Sequence, residues 1–181
     1  MMLTDVIIHP FGEIKNNLLE AVRVAVAQQF GGVVILGAEQ PVPAQSYSRE
    51  RGQYRSTGFL KQLAAHAHDD RRTRLGVTAV DLFVPELNFV FGEASSTERA
   101  AVFSVARLDP RFYGGPEDEA VLVRRAIVEA VHELGHVFGL GHCTRHKCVM
   151  WFSNTLSETD RKGSEFCLSC AQELGLSSAR R

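Results

Sequence analysis

The chain has 181 residues, 45% of them hydrophobic and 23% charged, with a formal net charge of −1 and a pI near 6.7. That length bounds one compact domain, with or without a small subdomain, and the balanced charge offers nucleic acid no basic stripe. No stretch reaches the ~18 apolar residues of a membrane helix, and the start, Met1-Met2-Leu3-Thr4-Asp5, lacks the basic and apolar run of a signal peptide.

Asp5-Val6-Ile7-Ile8-His9 is a short β-branched run stopped by Pro10 and Gly12, and reads as a buried first strand. Glu13 to Phe30 carries Ile14, Leu18, Val22, Ala25 and Val26 at helical spacing. Gly31-Gly32 ends that helix and Val33–Leu36 makes a second strand, so the unit reads as a parallel crossover. Residues 39–57 are polar and read as a long surface loop bearing on substrate, its Arg49, Arg51 and Arg55 solvated. Thr57 is expected to cap a second helix containing Phe59, Leu60, Leu63 and Ala64. His66 and His68, beside Asp69 and Asp70, point to different helix faces and read as solvated residues, not ligands.

Leu75 to Val84 reads as a third strand ended at Pro85. Asn88–Phe91 follows after a gap too short for a parallel crossover and should return antiparallel. Ala101–Leu108 is a fifth strand ended by Asp109-Pro110. Gly114-Gly115-Pro116-Glu117-Asp118-Glu119 then starts a long helix, with proline in its first turn and acids at the positive dipole end. Its apolar stripe is Val123, Ile127, Ala130, Leu134 and Phe138, with His132, Glu133 and His136 on the opposing arc. Ser177–Arg181 reads as a frayed tail.

The chemistry lies at the end of this helix. His132 and His136, four apart, share a face and can hold one metal ion. Glu133 projects about 100° round the helix from His132, beside the metal, where it can take a proton from bound water. Gly139 ends the helix in left-handed geometry, and His142 follows as a third nitrogen ligand. Three neutral ligands leave one position open and can bring a bound water's pKa to roughly 7, from about 15.7 in bulk. All four cysteines, Cys143, Cys148, Cys167 and Cys170, fall in the last 39 residues. Their clustering beside the histidines points to a second, thiolate metal site in a reducing compartment.

His132-Glu133-x-x-His136-x-x-Gly139-x-x-His142, with Met150 downstream, resembles the metzincin clan of zinc peptidases, whose motif ends in a methionine turn. Cys143, Cys148, Met150, Cys167 and Cys170 narrow the resemblance to the archaemetzincin family, although the Met150–Cys167 gap is one residue shorter than the family pattern. Val80–Pro85 and Gly92-Glu93-Ala94 also resemble that family. The resemblance implies an α/β fold with a metzincin-like mixed five-stranded sheet, three main helices and a small cysteine–zinc C-terminal subdomain. It puts the division at 1–139 and 140–181, and an exposed antiparallel edge strand, Asn88–Phe91, along the cleft as a partner for substrate backbone. No cysteine precedes residue 143, so an inhibitory cysteine pro-segment is not expected.

The expected protein is a cytoplasmic, monomeric zinc metallopeptidase with two zinc ions, one catalytic and one structural. Its partner is a peptide or protein substrate, not nucleic acid or membrane. Glu133 serves as general base and then passes the proton to the leaving amine. Tyr113 is a weak second oxyanion donor that reads better as a loop aromatic, and His146 reads as a surface residue. The rival readings are a zinc-stabilised binding protein with a vestigial centre and an amidase acting on non-peptide amides. Glu133 argues against the first, because a structural zinc has no use for a carboxylate beside an open position.

Overall fold

β1 (Val6–Phe11) is buried at every residue but His9. It leads into α1 (Asn16–Phe30), which buries Leu18, Leu19, Val22, Val26 and Phe30 and stops at Gly31, whose φ of 72° is left-handed. β2 (Val34–Leu36) returns parallel to β1, as expected of the crossover. The first strand does not end at Pro10, however. Proline lacks an N–H, but Pro10 lies beyond the end of β2, where its carbonyl accepts from Gln40 N at 2.8 Å. No ladder bond is lost. The computed structural model describes residues 5–65 and 72–176. His66, His68, Asp69, Asp70 and the 177–181 tail lie outside that range.

Residues 39–57 are not one open loop. They hold a short 3₁₀ turn, β3 (Tyr47–Ser48) and β4 (Gln53–Arg55), paired antiparallel. Arg51, expected to be solvated, donates to the carbonyls of Leu87 at 2.6 Å and Asn88 at 3.0 Å and lies over the Phe83 ring. α2 (Ser56–Ala65) starts one residue early. Thr57 is inside it, and its hydroxyl and that of Ser56 both donate to Glu93, whose carboxylate suits the positive helix end.

β5 (Thr73–Thr78) is buried throughout, but the run expected to reach Val84 breaks at 79–81. Asp81 turns out to meet Arg107 in a bidentate pair, 2.7 and 2.8 Å, and β6 (Leu82–Phe83) joins β4 in a separate three-stranded sheet. Asn88–Phe91 forms no strand of its own: Val90 makes an isolated antiparallel bridge to Leu82, and Phe91 O accepts from Ser104 N at 2.8 Å. The antiparallel edge strand is β7 (Gly92–Ser95), paired with β8 (Ala100–Ser104) from Gly92↔Phe103 to Ser95↔Ala100. Gly-Glu-Ala-Ser has poor strand propensity, and pairing with a buried neighbour overrides it. β8 stops at Ser104 rather than Leu108, because the Ser104 hydroxyl donates to Val80 O and accepts from Ala106 N to start a 3₁₀ turn.

α3 (Glu119–Val137) begins after Pro116, capped by the Asp118 side chain, which accepts from Val121 N. Its burial is not confined to one stripe. Arg125, Glu129, His132 and Glu133 are buried along with Ala130 and Leu134, while Val123 and Ile127 are only partly covered. The cause is that α3 packs on α1, β7 and β8 and is covered again by the C-terminal segment. That segment carries α4 (Leu156–Arg161), with a Thr155–Glu158 capping box, and α5 (Leu168–Glu173).

The main sheet runs β2-β1-β5-β8-β7, all parallel except β7. Alternation along β8 separates two cores: Ala101 and Phe103 face the α1–α3 layer, Ala100 and Val102 face α2. The mixed five-stranded sheet and three main helices agree with expectation; the small β3-β4-β6 sheet is an addition to it. Among the described residues, no helix is long and apolar enough to cross a membrane.

Candidate active site

The last turns of α3 deliver His132, Glu133 and His136 to a hollow of about 440 Å³. The hollow is bounded by Leu87–Ala94 on one side and Phe152–Asn154 on the other. A larger hollow, about 1110 Å³, lies over the start of α1 and contains none of the motif residues. Gly139, at φ 99°, turns the chain out of the helix so that His142 reaches back. Its ring packs 4.8 Å from His136 and 4.7 Å from Phe152.

Two backbone carbonyls fix the first two imidazoles. His132 Nδ1–H donates to Val149 O and His136 Nδ1–H to Leu140 O, each at 2.8 Å. A carbonyl only accepts, so in each neutral ring the proton sits on Nδ1 and Nε2 keeps its lone pair. Those two Nε2 atoms face each other at 3.1 Å. Two lone pairs so close repel unless a cation lies between them. Tetrahedral zinc with Zn–N bonds of about 2.0–2.1 Å has ligand edges of roughly 3.3 Å, so the residues fit that ion. His142 completes a group whose ligand atoms all lie within 4.8 Å of one another. Burial pushes all three histidines towards the neutral form that a metal needs, and the Lys162 charge adds to it.

Glu133 is buried beside these rings. Burial, and then the Glu129 carboxylate, push its carboxyl well above the usual range, against the pull of Lys162. A Cβ built on Gly92 would lie 2.6–2.7 Å from Glu133 side-chain atoms, so the edge strand and this carboxylate are in direct contact. Met150 is fully buried against α3, where a Cβ on Gly135 would meet its sulfur at 2.4 Å. A side chain at position 135 would therefore displace the end of Met150.

The four cysteines form a second group. Cys143 Sγ is 3.8 Å from Cys167 Sγ, and Cys148 Sγ is 3.8 Å from Cys170 Sγ, too far for disulfides. With Zn–S bonds of about 2.3 Å a tetrahedral edge is roughly 3.8 Å, so these residues also fit zinc. Burial pushes the Cys167 thiol up, but hydrogen bonds from Cys170 and the other thiols prevail and bring it down to about 6.

All seven expected ligands are thus gathered in two clusters, with Glu133 against the histidines. Tyr113 is exposed, meets Phe112 edge to face and does not line the hollow; His146 is exposed. Three wall residues escaped sequence reasoning. Lys162 Nζ lies 3.3 Å from Glu129 Oε1 and 3.5 Å from His132 Nδ1, with side chains only 1% and 3% exposed for the pair. Ser153 lines the same hollow, and its Oγ is buried without a hydrogen-bond partner. Lys162 follows Arg161 in a stretch that reads as a solvated charge run. Glu129 did leave a signal: an acid at core spacing between Ala126 and Ala130.

Residues 15–175 match Peptidase family M54. The chain is 40% identical over 174 residues to the archaemetzincin of Methanocaldococcus jannaschii, covering 96% of this chain and 94% of that one. The crystal structure of archaemetzincin from Methanopyrus kandleri superposes with a TM-score of 0.84 at 35% identity, over 95% of this chain and 93% of that one. A zinc-dependent peptidase from Methanocorpusculum labreanum superposes with a TM-score of 0.85 at 28% identity, over 93% and 99%.

Proposed function

Because the chain belongs to peptidase family M54, the archaemetzincins, and is a zinc metallopeptidase acting on peptides or proteins, we propose that Glu133 is its general base and that His132, His136 and His142 hold the catalytic zinc. The observation that carries this is the pair of Nε2 lone pairs held 3.1 Å apart by carbonyl-bound Nδ1 groups. Zinc there supplies a Lewis acid that acidifies water and polarises the scissile carbonyl. The Glu133 carboxylate accepts a proton as the water oxygen bonds to the carbonyl carbon, then passes that proton to the amine nitrogen as the C–N bond breaks. β7 offers its free edge to substrate backbone.

Cys143, Cys148, Cys167 and Cys170 hold a second, structural zinc, which gives two ions per chain. The working division is 1–139, bearing the sheet and active-site helix, and 140–181, bearing the third histidine, the methionine turn and the cysteines. Four unbridged cysteines favour a cytoplasmic protein, and we read it as a monomer that engages neither nucleic acid nor membrane. Digestion of a peptide library by zinc-loaded protein, read by mass spectrometry, tests the activity. Cleavage that chelator abolishes and zinc restores is the expected result; no cleavage at any metal loading contradicts it.

A further inference from the structure

The hollow beside the histidines holds more hydrogen-bonding capacity than hydrolysis uses. Ser153 lines it, and the Ser153 Oγ is buried without a hydrogen-bond partner. Lys162 and Glu129, paired at 3.3 Å, line the same space. A leucine-sized side chain seated here would leave the hydroxyl unsatisfied and strip the last solvent from the ion pair. A second carboxylate would be repelled by Glu129, and a second cation by Lys162. A carboxamide meets neither objection: its oxygen accepts from an ammonium or hydroxyl, and its NH₂ donates to a carboxylate or hydroxyl.

We propose that this hollow is a side-chain subsite selecting a glutamine or asparagine next to the scissile bond, through Ser153, Lys162 and Glu129. The assignment rests on the peptidase reading above for its substrate, but not for its binding chemistry. A hydroxyl left without a partner and a buried ion pair are features of the wall itself. Sites built to hydrogen-bond a polar group reject the apolar analogue far more strongly than apolar pockets reject a polar one.

The test uses the full, zinc-loaded chain. N-acetylglutamine amide, N-acetylleucine amide and N-acetylglutamate amide are titrated by NMR, alongside hydrolysis of peptides carrying Gln, Leu or Glu at each position in turn. The glutamine compound should bind about 10-fold more tightly than the other two, and the cleaved peptides should carry glutamine beside the cut. Ser153→Ala should narrow the preference at least about threefold, and Glu129→Leu/Lys162→Met should turn it towards leucine. Should the double variant not fold, Ser153→Ala on the partly exposed loop still decides. Leucine or glutamate binding as tightly as glutamine, or a preference untouched by Ser153→Ala, overturns the subsite. Binding selectivity without hydrolysis of any peptide would leave the subsite standing and sink the peptidase mechanism instead.

Discussion

Glu133 works in a crowded position, and the crowding is specific. Its carboxylate touches Gly92 on the edge strand, so anything larger than hydrogen at that position must push the proposed general base aside. Gly92 has no left-handed φ among the described backbone, so alanine strains nothing there except this contact. Gly92→Ala should therefore keep its fold and its zinc while turnover falls roughly 10–100-fold, the cost of misplacing a reacting group by about 1 Å. Steady-state rates together with elemental analysis check this; unchanged turnover would show that Glu133 has room to spare. That His132, Glu133 and His136 come to one hollow was legible in the sequence, because spacing along one helix dictates which side chains share a face. The contacts that aim them were not. Val149 O and Leu140 O are backbone groups, and no residue type reports where a carbonyl points.

Between elements, α4 is clamped to α3 by charge. Asp160 accepts from Arg125 at 2.7 and 2.8 Å and also from Arg124, while Arg125 donates to Leu108 O. The Arg125 hydrogen bonds hold the Asp160 carboxyl below the usual carboxylate range. A carboxylate whose pKa is depressed by folding adds stability above its unfolded value of about 3.9, and that stability is lost as pH falls towards the folded value. Asp160→Asn should cost about 1–2 kcal/mol near neutrality, allowing for partial solvent exposure. The difference from the parent should shrink below about pH 4. Urea titrations of both proteins across that range measure it; a gap independent of pH would mean that the charge contributes nothing. Element boundaries were less legible than element types. Asn88–Phe91 has the aromatic and branched residues of a strand, yet Gly92–Ser95 takes the sheet edge, because the register with β8 is set by tertiary contacts.

At the scale of the molecule, the histidine and cysteine clusters meet at His142-Cys143, and one short segment contributes to both. Val149, Met150 and Leu174 belong to the same core as Leu134, so the C-terminal segment borrows its apolar area from α3 rather than owning a core. The cysteine cluster should then act as a staple that holds His142 and Met150 in place. Cys167→Ser should loosen residues after 139 to limited proteolysis and weaken catalytic-zinc affinity, although Cys167 is not a ligand of that ion. Unaltered affinity with an intact C-terminal segment would show the cluster to be dispensable. The main sheet, the three main helices and the residues of both clusters were visible in the sequence as periodicity and spacing. The burial of α3 on nearly all sides, and with it Glu129 and Lys162, depends on what folds back over the helix, which local pattern does not encode. The most direct measurement compares parent and Glu133→Gln proteins for zinc content and peptide turnover in the same preparations. Both should carry up to two zinc ions with nearly equal affinity, and the variant should lose roughly 10²-fold or more in turnover. A Glu133→Gln protein that keeps its turnover, or one that loses its zinc, contradicts the account.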